Sequence, residues 1–156
     1  MCYISTYCFI LLHTATYCSI FIYTTVFCYI MLYNASICFI LLNTAIYFNL
    51  LLYTATYCFL LIHTAIYCYI LLYTATYCYI MLHSAIYKYI LFYTVIYCYI
   101  LLHITTFRFI QLYSASYWYI LIHTAIYCYI LLYKIVFWFV LSYTVKYCNI
   151  LLHIAI

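Results

Sequence analysis

The sequence contains no glycine, proline, aspartate or glutamate in 156 residues. Without glycine and proline it lacks the residues that usually make left-handed turns and rigid corners, so a fold with many tight turns is hard to build. Without carboxylates it has no acidic pair for general acid–base catalysis and no partner for a buried cation. The absence of glycine also excludes a glycine-rich phosphate-binding loop.

Charged residues are almost absent as well, and the formal net charge of +4 comes from four cations. They are Lys88, Arg108, Lys134 and Lys146, so the first 87 residues carry no permanent charge. Nucleic-acid binding requires clustered lysine or arginine facing phosphates, which these scattered residues do not provide. We therefore expect no nucleic-acid partner.

What the chain does contain is one short unit repeated from end to end. Residues 56–65 read Thr-Tyr-Cys-Phe-Leu-Leu-Ile-His-Thr-Ala, and close variants recur every ten residues without insertion or deletion. Hydrophobic residues make up 76% and aromatic residues 26% of the sequence, far from the composition of ordinary soluble domains. The pattern predicts a single tandem decapeptide-repeat array over residues 1–156.

Local preferences favour strand over helix. Tyrosine, isoleucine, threonine, valine and phenylalanine fit a pleated surface better than a helix. The alternative is an all-α set of hydrophobic membrane helices, because a helix of this sequence is apolar nearly all round and the uncharged part is long enough for several spans. Loops and basic residues that would orient such spans are missing before Lys88.

The even period keeps each repeat position on one side of an extended strand. We therefore predict an all-β fold, a single β-solenoid of about fifteen ten-residue coils with equivalent side chains about 4.8 Å apart. The interior is expected to hold one alternating set and the surface the other. The inner set of one unit is Leu72, Thr74, Thr76, Cys78 and Ile80. The outer set is Leu71, Tyr73, Ala75, Tyr77 and Tyr79.

Two features conflict with that arrangement. All four cations fall at inner-set positions, where an unpaired charge is costly. Tight corners favour glycine or asparagine, and only four asparagines are available, namely Asn34, Asn43, Asn49 and Asn149.

The regularity has a simple explanation at the level of DNA. The tandem ten-nucleotide word ACATACTGCT translates as Thr-Tyr-Cys-Tyr-Ile-Leu-Leu-His-Thr-Ala, the consensus of the repeat, in every reading frame. The word lacks the dinucleotides GG, CC and GA that begin the codons of the four absent residues. Phe48, Arg108, Trp118 and Trp138 each replace the repeated cysteine by a single base change. We hypothesise that the open frame arose from a tandem DNA repeat.

No catalytic, cofactor-binding or metal-binding residues are predicted, and the chain is not expected to be an enzyme. Its eleven cysteines and six histidines lack the paired CxxC and HxxxH spacings of zinc sites. The alternative interpretation is that a ladder of stacked thiols or imidazoles binds a soft metal ion. No carboxylate is present to orient a base beside a nucleophilic thiol. The cysteines are interpreted as small hydrophobic residues of the repeat.

Thr-Ala-Thr occurs at 14–16, 54–56 and 74–76, and this motif resembles the Thr-x-Thr rows of insect ice-binding solenoids. The resemblance implies a solenoid with a threonine surface that binds ice. Isoleucine or lysine interrupts the motif in other units, as at Ile66, Ile86 and Lys134. Some midge antifreeze proteins also resemble this chain in using ten-residue coils with tyrosine and cysteine ladders, but the glycines and paired cysteines of their repeat unit are absent here.

The sequence therefore predicts a low-complexity hydrophobic repeat polypeptide with no specific biochemical activity. The alternatives are a membrane-embedded polypeptide and a structural or ice-binding-like scaffold. Apolar windows such as residues 67–72 combine strand preference with zero charge, which indicates self-association through strand stacking. Besides further copies of the chain, a membrane is the second partner that the sequence suggests. The sequence does not indicate a cellular location, except that an inserted chain would reside in a membrane.

Overall fold

A computed structural model describes residues 2–153, with side chains from Ile4 onward. The chain forms one continuous extended element, β1 (Cys2–Leu152), which confirms the all-β prediction. Residues 2–153 contain no helix, and therefore no helix that could cross a bilayer. The alternative prediction of membrane helices is wrong for this part of the chain. The β-branched and aromatic residues decide this outcome. Met1 and residues 154–156 of the predicted array lie outside the described residues.

The element β1 is wound into stacked coils, and its aromatic rings reveal the length of each coil. Tyr53 stacks on Tyr73 with ring centroids 4.8 Å apart, and Tyr73 stacks on Tyr93 at the same distance. Rings twenty residues apart are therefore neighbours along the solenoid axis. The solenoid prediction holds, but each coil contains two decapeptides and the chain forms about seven and a half coils.

The pattern of burial shows where each coil bends. Along one unit Leu72, Ala75, Cys78 and Ile80 are buried. Two consecutive side chains lie at the surface at positions 73–74 and again at 76–77, so the in–out alternation of a flat strand is broken twice. Each unit therefore supplies one long face of seven residues and one short edge of three. Two units close a coil of roughly rectangular section.

Four surfaces run along the solenoid. Face A consists of residues 67–73 and their equivalents every twenty residues, and face B consists of residues 77–83 and their equivalents. The hydroxyl edge consists of residues 74–76 and equivalents, and the opposite edge consists of residues 84–86 and equivalents. Odd and even decapeptides therefore occupy different sides of the molecule.

Side-chain volume explains why a coil needs two units. Two long faces oppose each other, and their leucine, isoleucine and cysteine side chains fill the layer between them, as in packed sheets about 10 Å apart. A ten-residue coil would have one long face with nothing opposite it. Leu72 and Leu82, from opposite faces, are both completely buried, as are the larger Phe48 and Phe92 to within 1%.

The predicted division into inner and outer residues is correct for Leu72, Cys78 and Ile80 and wrong at the edge. Thr74 and Thr76 lie outside and Ala75 is buried, at 2% exposure. The two bends exchange the inward and outward positions of the three edge residues relative to a flat strand. Alanine is the commonest residue at this inward edge position, and Val95 and Thr105 are buried there as well.

The expected conflict at corners is resolved without left-handed residues. No residue in the described range has a positive φ. Each corner is spread over two successive outward residues, so no single residue needs the conformation that glycine or asparagine favours. Asn34 and Asn43 do occupy corners, whereas Asn49 and Asn149 lie on face A.

Candidate functional site

The most distinctive surface features are two grooves, one along each long face. Groove A runs between the ladder that contains Tyr67 and Tyr87 and the ladder that contains Tyr69 and Tyr89, and its volume is about 900 Å³. Groove B runs between the equivalent ladders of face B and measures about 660 Å³. Both grooves exist because outward aromatic residues two apart flank one inward residue, which leaves a channel above it.

The walls of the grooves are built from nearly parallel rings. Tyr69 and Tyr89 lie 5.0 Å apart at an interplanar angle of 3°, and Tyr79 and Tyr99 lie 4.9 Å apart at 1°. Rings that stack face to face along the axis turn their hydrogen-bearing edges toward the groove. A planar aromatic molecule lying along the groove therefore meets these edges in the favourable edge-to-face arrangement.

The floors of the two grooves differ in charge. Groove A contains Lys88 and Arg108 in its lining, and these residues are only 4% and 3% exposed. Groove B is lined at the equivalent positions by cysteine and tryptophan and carries no charge. The two grooves therefore have similar walls and different electrostatics.

Lys88 and Arg108 are neighbours in one inward column, in successive coils. The Lys88 Nζ and the Arg108 Nη1 have no hydrogen-bond partner. Burial, and then the charge of Arg108, hold the pKa of Lys88 well below its usual range. Burial lowers the pKa of Arg108 to about 10, so its guanidinium is still charged at neutral pH. The sequence contains no aspartate or glutamate that could compensate either group.

Arg108 has one compensating contact within its own unit. Its Nε donates to Thr105 Oγ1 at 3.0 Å, and its Nη2 donates to the same oxygen. Thr105 occupies the edge position that is alanine in most units, and it is buried. Thr105 and Arg108 are therefore linked among the departures of this unit from the consensus, because the threonine supplies the acceptor that the arginine requires.

The prediction that all four cations lie inside is wrong for two of them. Lys134 lies on the hydroxyl edge and Lys146 on the opposite edge, and both are exposed. The Lys146 Nζ lies 5.8 Å from the centre of the Tyr147 ring and adds a third cation to the lining of groove A. The bends place their repeat positions outside, where water solvates the charge.

The twenty-residue coil sorts the Thr-Ala-Thr motifs onto one edge. Positions 14–16, 54–56 and 74–76 share the hydroxyl edge with Asn-Ala-Ser at 34–36 and Ser-Ala-Ser at 114–116. Units with Thr-Ala-Ile, such as 64–66, fall on the opposite edge. The interruptions seen in sequence order therefore disappear along most of this edge, and Ile96 and the last unit at 134–136 are the exceptions.

Histidine and tyrosine are separated in the same way between residues 53 and 133. His63, His83, His103 and His123 form one stacked ladder at the border of face B, with centroid distances of 4.6–4.8 Å. Burial, and then the neighbouring imidazoles, lower the pKa of His83. The border of face A carries a tyrosine ladder from Tyr33 to Tyr133 instead.

Five cysteines form a continuous inward column behind groove B. They are Cys18, Cys38, Cys58, Cys78 and Cys98, and the pKa of each of the first four is influenced by the adjacent cysteines of the column. In the column of groove A, burial raises the pKa of Cys68 to about 12 although Lys88 opposes the shift. Within residues 2–153 no group of three or more histidines or cysteines is arranged to hold a metal ion.

The coil length and the sorting of side chains were missed in the sequence, although a signal is present. From Tyr53 to Tyr133 tyrosine and histidine alternate without exception at every tenth residue, which is a period of twenty. In a coil of ten residues every unit would occupy the same side of the solenoid. An alternation between successive units therefore indicates a coil of two units.

No protein-family model, curated protein or solved structure matches this chain.

Proposed function

We propose that this chain is a structural repeat polypeptide that associates with further copies of itself through face B and has no enzymatic activity. The observation that carries the proposal is the composition of face B. Its outward side chains are mostly aromatic or aliphatic, apart from the histidine ladder at its border and the two polar residues Ser19 and Asn43, and neither its surface nor its inner column contains a lysine or arginine. Large exposed apolar surfaces of this kind commonly mark interaction sites.

The dimensions of face B are sufficient for a specific interface. Seven residues at about 3.3 Å and six coils at about 4.8 Å give an area of roughly 660 Å² per copy. Specific protein–protein interfaces bury about 800 Å² per partner, with a wide range, so two copies of face B approach that size. Regular ladders also allow side chains of one copy to interdigitate with those of the next.

Face A is less suited to self-association. Two copies of face A would bring the cations beneath groove A toward each other without any carboxylate between them, and like charges repel in a poorly solvated interface. The proposal therefore predicts pairing by face B alone. Stacking between the end coils of different copies would continue the same ladders along the axis, and this end-to-end contact is separate from the side-by-side pairing through face B.

A matched pair of variants tests this proposal. Tyr79→Lys and Tyr69→Lys place one charge at the same repeat position of face B and face A. Sedimentation over a range of protein concentrations should show that Tyr79→Lys weakens association at least tenfold, whereas Tyr69→Lys leaves it near the wild-type value. Equal effects of the two variants would contradict the assignment to face B. Flotation of the chain with lipid vesicles, unaffected by either lysine, would favour the membrane as the partner.

The hydroxyl edge supports ice binding as the second candidate. Exposed hydroxyl or amide side chains at positions 14 and 16, 34 and 36, and 54 and 56 repeat in adjacent coils. Thermal hysteresis is the appropriate assay, and Thr74→Leu with Thr64→Leu on the opposite edge is the matched pair. Hysteresis that falls only in Thr74→Leu would support this function, and its absence from the wild-type chain would eliminate it.

The proposed origin from a tandem DNA repeat is compatible with either function. Sequencing the encoding DNA tests it directly. Codons that follow the ten-nucleotide word would support the hypothesis, whereas diverse synonymous codons that hide the word would contradict it.

A further inference from the structure

Groove A combines three features that groove B does not: a larger volume, two unpaired buried cations in its lining, and an exposed lysine at one end. We propose that groove A is a binding site for elongated, planar, anionic aromatic molecules. The site lies on the face opposite to the proposed association surface, so the inference does not rest on that function.

The shape of the groove selects a long, flat ligand. Its walls are straight because successive rings keep nearly the same orientation, as in Tyr67 and Tyr87 at 5.1 Å and 5°. From Tyr47 to Tyr147 the wall contains six rings, and the five spacings between them at about 4.8 Å give a length of about 24 Å. A bent or globular molecule would contact few of these rings. A rigid molecule with several conjugated rings contacts most of them and loses little conformational entropy on binding.

The charge of the groove selects an anion. Lys88 and Arg108 belong to the inward column, so the guanidinium charge of Arg108, joined by that of Lys88 whenever its amine is protonated, acts on the groove from beneath its floor. Each has a side-chain nitrogen without a hydrogen-bond partner, and the chain contains no acidic residue. A ligand with sulfonate or carboxylate groups provides the missing counter-charge, in surroundings of low dielectric constant where Coulomb interactions are strong. Groove B offers the same kind of walls without this attraction.

Two planar dyes of opposite charge test the assignment on the full-length chain. The probes are Congo red, an anionic bis-azo dye, and thioflavin T, a cationic dye. Arg108→Cys removes one cation beneath groove A and restores the consensus residue, whereas Lys134→Thr removes one cation from the hydroxyl edge. We expect Arg108→Cys to weaken Congo red binding about tenfold and Lys134→Thr to leave it unchanged within twofold. Thioflavin T should bind no more weakly to Arg108→Cys than to the wild type.

A second pair of variants locates the dye. Tyr69→Ala removes a ring from the wall of groove A, and Tyr79→Ala removes the equivalent ring from groove B. Congo red should lose affinity in Tyr69→Ala and retain it in Tyr79→Ala. Equal losses in the two alanine variants, or equal losses in Arg108→Cys and Lys134→Thr, would overturn the proposal. Displacement of the dye by inorganic phosphate at similar concentrations would also overturn it, because it would show that the cations bind any anion without help from the rings.

Failure of this proposal is distinguishable from failure of the proposed association. The dye experiment measures ligand affinity on face A at protein concentrations where association is absent. The sedimentation experiment measures the effect of charge on face B without any dye.

Discussion

The substitution Lys88→Cys should make the protein more stable, because it removes an uncompensated amine from the interior. Lys88 is 4% exposed and its Nζ has no hydrogen-bond partner. Cysteine is the consensus residue of this column, and Cys68 occupies the equivalent site one coil away, so the replacement fits without strain. Replacing buried ionic groups by fitting apolar residues commonly stabilises proteins by about 1–4 kcal/mol, and we expect a gain in that range.

The pH dependence of the gain provides a second measure. Because the pKa of Lys88 lies below 10.5 in the folded state, the unfolded chain binds more protons between the folded pKa and 10.5. The free energy of unfolding of the wild-type chain therefore rises with pH across that window, by about 1.4 kcal/mol per pH unit for this one group. The advantage of Lys88→Cys should accordingly be greatest at low pH and shrink as the pH approaches 10.5.

Urea denaturation followed by tyrosine fluorescence at several pH values measures both effects. Lys134→Thr is the control, because Lys134 is exposed and its replacement should change the free energy of unfolding by less than about 0.5 kcal/mol. A Lys88→Cys protein that is less stable than the wild type, or that keeps the same slope with pH, would refute the reasoning about the buried amine.

Three further predictions test the coil, the core and the histidine ladder. Mild oxidation should join Cys58 to Cys78, because both are buried in one column and the flanking Tyr57 and Tyr77 stack in adjacent coils. Coils about 4.8 Å apart bring their Cα atoms within the range of about 4.4–6.8 Å that a disulfide needs. Mass-spectrometric mapping that found links between cysteines ten residues apart would contradict the twenty-residue coil. Leu72→Ala should lower the free energy of unfolding by about 2–5 kcal/mol and Leu71→Ala by much less, because only Leu72 is completely buried; similar losses in denaturation experiments would show that the register is wrong. Because the pKa of His83 is lowered in the folded state, the unfolded state takes up the proton more readily, and the stability of the fold decreases as the pH drops through and below 6.5. The variant His83→Tyr should reduce this loss of stability, as measured by thermal denaturation at several pH values. An unchanged pH profile in the variant would count against a role for the histidine ladder.

The two buried cations illustrate how far the sequence leads. Their repeat position predicted burial without a counter-charge, and Lys88 and Arg108 behave in that way. The same argument failed for Lys134 and Lys146, because it assumed strict alternation through the edge. Alternation is a local property of a flat strand, whereas the position of a bend depends on which side chains meet across the interior.

The sequence by itself determined the extended backbone, the ladders of like side chains and the near absence of charge, since strand preference and repeat position act through each residue and its neighbours in the chain. The tertiary structure alone decided that two units close one coil. Leu72, Cys78 and Ile80 need an opposing layer to fill the interior, and only a second long face supplies it. That closure separates odd from even units, and it thereby creates a charged groove on one face, an uncharged groove on the other and a continuous hydroxyl edge between them.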